Sequence, residues 1–162
     1  MFKSIINISE LKLNELSINE LIKCNEYTLD YNLKLTKSDA AILVSVRDES
    51  LKKQGRVEFG GGIIKKIIEK FCDSPYIHQF NYSLVISELI DIFYYYKNET
   101  LDLIGDDELI NLMKKFYDET CFGSLELLKD RDLYKLAHNV KYNVKDYDDI
   151  SEHREEVEED NE

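Results

Sequence analysis

Apolar residues recur along this chain at intervals of three and four, the spacing that lines one face of a helix. The clearest run is Val85, Leu89, Ile92, Phe93 and Tyr96, widened by Ile86 and Ile90, and it predicts a long central helix over about Tyr82 to Lys97. Upstream, Ile18, Leu21, Ile22 and Leu29 share a side of a first helix. Its start is expected at Ser17, because Ser17-Ile18-Asn19-Glu20 has the form of a capping box, in which hydroxyl and carboxylate satisfy free backbone amides. Thr36-Lys37-Ser38-Asp39 offers a similar start to a second helix carrying Ala40, Val44 and Leu51. Gly55 should end that helix, since glycine accepts the left-handed conformation of a C-terminal cap. A third helix is expected from about Gly62 to Cys72, before the turn sequence Asp73-Ser74-Pro75. Asp106-Asp107-Glu108 sets negative charge at the positive end of a fifth, whose core face is Leu109, Leu112, Met113 and Phe116. Ser124 caps a last helical region, expected to break near Asp130-Arg131-Asp132 before Leu133, Leu136, Ala137 and Val140 resume the stripe.

Three short stretches alternate with period two instead: Ile6-Asn7-Ile8, Leu11-Lys12-Leu13 and Val57-Glu58-Phe59. They admit a small β element near the N-terminus or over residues 56–59 as the lesser reading. The fold class expected is therefore mainly α, a compact bundle of five or six helices. The apolar stripe fades near residue 141, so residues 1–140 read as one helical domain and 141–162 as an acidic, disordered tail.

Charge sharpens this division. Of the net −12, the segment from residue 141 onward carries −7, with ten Asp and Glu against Lys141, Lys145 and Arg154. An acidic surface repels phosphate backbones, so nucleic acid is not an expected partner. Cys24, Cys72 and Cys121 lie far apart, with no CxxC pair, which fits a reducing compartment. The opening MFKSIINISE lacks the apolar run of a signal peptide. Runs such as Ala40-Ala41-Ile42-Leu43-Val44 are too short to span a bilayer. A cytoplasmic protein with no membrane segment is expected.

The candidate chemistry centres on GRVEFGGG, residues 55–62. A Walker-type loop would follow its last spaced glycine with Lys and Ser or Thr, but Gly61 and Gly62 stand there, and the dinucleotide pattern fails because position 65 is Lys. What remains is generic: the amides of Gly60, Gly61 and Gly62 at a helix start, with Arg56, Lys65 and Lys66 nearby, a place that could receive an anion. The structural alternative is that Gly55 caps a helix while Gly60 to Gly62 let two helices cross closely. Arg47 lies inside an apolar stripe and calls for a carboxylate, for which Glu58 and Asp73 are the candidates, or it reaches out to water. It either binds an anion beside the loop or fixes the loop by an ion pair. Cys72, Asp73 and His78 surround the Pro75 turn, where a Cys–His nucleophile pair competes with a buried, inert thiol. His and Cys show no metal-ligand spacing, and no cofactor is called for. Phe93-Tyr94-Tyr95-Tyr96 must point around a helix in several directions, so Tyr94 and Tyr95 are interface candidates, Tyr95 the better one.

Gly55-Arg56-Val57-Glu58-Phe59-Gly60, Phe71-Cys72-Asp73-Ser74-Pro75-Tyr76, Phe93-Tyr94, Lys97-Asn98-Glu99 and Gly123-Ser124-Leu125-Glu126 together resemble a family of uncharacterised bacterial proteins of about this length, found mainly in clostridial-type anaerobes. The resemblance covers about residues 17–140 and implies a bacterial cytoplasmic origin; it assigns no activity, so no role carries onto any residue.

Two functions are set against each other. The first is a non-enzymatic interaction or regulatory module that contacts a protein partner or itself. The second is a small-molecule or phosphate-binding protein, or an enzyme, whose pocket gathers Arg47, Arg56, Glu58, the Gly60–Gly62 amides and the Asp73–His78 turn. In that pocket Arg56 would hold the anion and Glu58 would act as base. The second reading requires those residues to converge in space.

Overall fold

The computed structural model describes residues 14–58 and 62–142, and among them the chain is mainly helical with no strand. The alternating stretches Ile6-Asn7-Ile8 and Leu11-Lys12-Leu13 lie outside the described residues, as do Phe59, Gly60, Gly61 and 143–162. At 56–58 the backbone is irregular, and Val57, which a strand would have paired, is 83% exposed.

The first helix, α1, already runs at residue 14 and ends at 23. Ser17 is buried within it, so the expected start there is corrected: a serine and a glutamate three apart are also ordinary neighbours on one helical face. Nor does Leu29 extend its stripe. The chain passes through a short helix, Asn25–Thr28, and a 3₁₀ turn, Leu29–Tyr31, which leaves Leu29 exposed. The side chain of buried Asn25 explains the reversal, because it donates to the Leu35 carbonyl (2.9 Å) and accepts from the Leu35 amide (2.8 Å).

Helix α2 spans Lys37–Lys53. Thr36 caps it as its sequence predicts: its hydroxyl accepts from the Asp39 amide, and the Asp39 carboxylate accepts from the Thr36 amide. At the far end Gly55 adopts φ +65°, its amide donates to the Lys52 carbonyl, and the Arg56 amide donates to that of Leu51. This pair of bonds closes a helix around a left-handed residue. Helix α3, Gly62–Phe71, buries Ile63, Ile64, Ile67, Ile68 and Phe71 on one broad stripe. Helix α4, Gln79–Glu99, starts three residues before the expected Tyr82, because the Asn81 side chain accepts from the His78 amide (2.7 Å) and so caps the helix upstream of its apolar stripe. Helix α5 is Asp106–Glu119.

The last segment is one continuous helical path. Ser124 caps a turn, Leu125–Leu127, and Leu128–Asp132 then widens into a π-helical stretch before α6, Leu133–Lys141. The break expected at Asp130-Arg131-Asp132 is thus an added residue within the helix, not an interruption.

Cross-links fix the arrangement. Lys34–Gln79, Ser50–Asp91 and Gln54–Asn98 advance together, so α2 and α4 lie side by side and parallel. Lys66–Asp107, Lys114–Asp73 and Ser74–Asp118 advance together as well, so α3 and α5 form a second parallel pair, returning the other way. The fold reads as two helical hairpins, α2–α3 and α4–α5, with their connecting loops at one end. Leu43, Ile64, Ile68, Ile86, Leu89, Ile90, Leu109 and Met113, all fully buried, lie in the core between them.

Candidate functional site

The glycine loop meets the loop that follows α4. There Arg56 forms a fork-to-fork pair with Asp102 (2.7 and 3.2 Å), and its Nη1 also donates to Asn98 Oδ1 at 2.5 Å. The pair keeps the guanidinium more firmly protonated than usual and holds the Asp102 carboxyl below the ordinary carboxylate range. Lys97, buried beside it, donates to the Ile104 carbonyl (2.7 Å) and pairs with Asp106 (2.9 Å). Leu101 and Asp102 both take φ +57°, a backbone cost these contacts sustain.

Glu58 accepts from the Tyr94 hydroxyl at 2.7 Å. Tyr94 is accordingly buried, which corrects its expected place at an interface; burial, and then Glu58, push its phenol far above the usual range. Arg47 is buried on the stripe of α2, but Asp48 pairs with it (3.2 Å) rather than the expected Glu58 or Asp73. Asp73 instead binds Lys114 at 2.8 Å. Gly62 opens α3, and nothing lies within 4 Å of where its Cβ would stand, so no close helix crossing is made there; Gly60 and Gly61 fall outside the described residues.

His78 stands at the opposite end of α4, stacked on exposed Phe80 (5.7 Å). From His78 to Asn98 the helix rises about 30 Å at 1.5 Å per residue. Arg56 and Glu58 therefore do not share a pocket with Asp73 and His78, and the convergence that the anion-binding reading requires is not made. Cys72 is buried, donates to the Glu69 carbonyl, and burial raises its thiol; no Cys–His pair forms among the described residues. Cys121 is likewise buried, pushed up to about 11 by burial and by its contact with Asp132.

A different concavity opens along the face shared by α2 and α4. A groove of about 610 Å³ runs between α2, α4 and the helical entry to α6. Ser45, Val46, Glu49 and Lys53 line it from α2; Ser87, Glu88 and Asp91 from α4; Leu125, Glu126 and Lys129 from the third wall. Ile42 (52% exposed) and Leu84 (62%) sit one helical turn from Val46 and Glu88 on the same faces, at the N-terminal end of both helices. Toward the other end the groove is charged. Lys53 pairs with Asp91 (3.5 Å), and Lys129 lies over the ring of half-exposed Tyr95 (5.9 Å). Glu49, Glu88 and Glu126 are exposed and enter no ion pair among the described residues.

Of the sequence candidates among the described residues, only Tyr95 lies beside this groove. Periodicity does not single out Ile42 and Leu84, because they stand off the stripes that define each helix. That departure is itself the signal: an apolar residue on the polar face of an amphipathic helix.

No helix among the described residues is long and apolar enough to cross a membrane. No curated protein and no solved structure matches the chain. The model of a family described as "Family of unknown function (DUF6323)" matches residues 20–146, a span that contains all three walls of the groove and both tied loops, and the chain belongs to that family.

Proposed function

We propose that this protein is a non-enzymatic interaction module and that the groove between α2, α4 and the entry to α6 is where it takes hold of another protein. What carries the reading is the placing of Ile42 and Leu84. Two large aliphatic side chains stand half in water beside one end of a concave surface, where covering the exposed remainder with a partner would gain about 1–2 kcal/mol each. The condition of the glycine loop supports the same reading from the other side. Its arginine and its glutamate are already held by Asp102 and Tyr94, and a ligand would have to displace both. An acidic chain of net −12 favours a protein partner over nucleic acid.

Photo-crosslinking tests this. A benzoylphenylalanine placed at Ser87 should join one protein in the cells of origin, while the same probe at Glu108, on exposed α5 surface, should not. The partner is then purified, and Ile42→Asp should weaken its binding at least tenfold with the fold unchanged by circular dichroism. Equal binding to wild type and Ile42→Asp, or no adduct particular to Ser87, sinks the proposal.

A further inference from the structure

The groove is polarised along its length, and the polarity describes what would fill it. Toward the N-termini of α2 and α4 the apolar lining, Val46 and Leu125, continues onto exposed Ile42 and Leu84, each one helical turn beyond a lining residue. Along the rest, four carboxylates (Glu49, Glu88, Asp91 and Glu126) outnumber two ammonium groups (Lys53 and Lys129). Lys53 already serves Asp91, so Glu49, Glu88 and Glu126 are left against Lys129 alone, an acidic excess. The described residues offer no sheet edge for an added strand, and all three walls are helical, which favours helix-in-groove docking over strand addition. From Ile42 to Lys53 the wall of α2 is about 17 Å long at 1.5 Å per residue, the length of a three-turn helix.

We infer that the occupant is a basic amphipathic helix of about three turns, donated by a partner protein. Its apolar residues meet Ile42 and Leu84, and its lysines or arginines lie opposite Glu49, Glu88 and Glu126. This rests on the docking reading above and makes it specific. A second copy of the chain fits poorly, because it would bring a surface of the same acidic sign against these glutamates. Nucleic acid and anionic lipid are repelled for the same reason. The acidic field of the whole chain would also speed encounter with such a helix, so association should slow as salt rises.

The test is a selection. The full chain is the bait for a display library of eleven- to fifteen-residue helices randomised on one face. Peptides that bind should carry Leu, Ile or Phe at one end and Lys or Arg toward the other. Chosen peptides are then synthesised. Glu88→Lys combined with Glu126→Lys, both exposed sites, should weaken them at least tenfold, and peptides with Glu in place of Lys should recover binding to that variant. Peptides that depend on Leu84 but are neutral or acidic, and ignore the charge reversal, overturn this inference and leave the docking reading standing. No peptide whose binding falls with Leu84→Asp overturns the docking reading itself. A dimer seen by sedimentation that Leu84→Asp dissociates assigns the groove to a second copy and also overturns the inference.

Discussion

Two tyrosines of α4 bury their hydroxyls under different terms. The Tyr94 hydroxyl donates to the Glu58 carboxylate, whereas that of Tyr82 has only the Thr28 hydroxyl near it and makes no well-formed hydrogen bond among the described residues. A bond to a charged acceptor contributes roughly 1.5–3 kcal/mol, while an unpaired buried hydroxyl is itself a cost. Tyr94→Phe should therefore lower stability by about 2 kcal/mol in urea unfolding, and Tyr82→Phe should leave it unchanged or raise it. One chemical change gives opposite signs within a single helix. The sequence showed that both residues share the helix, but which hydroxyl is paired depends on Glu58, 36 residues from Tyr94 along the chain, and periodicity carries no information at that range.

At the scale of elements, glycines separate in the same manner. Gly55 and Gly123 both adopt positive φ, +65° and +80°. A Cβ at Gly55 would meet nothing within 4 Å, whereas at Gly123 it would stand 2.6 Å from Tyr76 Cβ. Gly55→Ala should cost only the left-handed backbone, about 1 kcal/mol. Gly123→Ala adds a collision with the root of the Tyr76 side chain, which cannot swing away, and should cost at least about 2 kcal/mol more, read as a lower melting temperature. Helix ends were legible where the cap is local, as at Thr36, Gly55 and Ser124. They were not where a side chain further along decides: Asn81 begins α4 ahead of its apolar stripe, and Asn25 turns the chain away from the first helix.

Across the whole molecule, Arg56 and Asp102 join the loops of the two hairpins. The folded carboxyl of Asp102 titrates below its unfolded value, so the pair's contribution is complete above about pH 4 and drains away as pH falls through the depressed value. Half-exposure of Asp102 keeps the effect modest. Melting temperatures of wild type and Asp102→Asn should differ near neutrality and converge in acid; a gap that persists unchanged at low pH would contradict the pairing. Such ties between distant loops could not be read from residue order, and neither could the groove, whose walls come from three separated segments. What was legible was the number and class of the helices, because each depends on its own repeat.

The π-helical stretch at Leu128–Asp132 has a consequence for how this family can change length. Leu125 and Glu126 before it and Lys129 in its first turn face the groove; after it, Leu133, Leu136, Ala137 and Val140 face the core. Removing one residue there would turn one portion by about 100° relative to the other, so either the wall or the core would lose its register. Single-residue deletions between Leu128 and Asp132 should therefore be missing among descendants that keep both, while substitutions at exposed Asp130 pass freely.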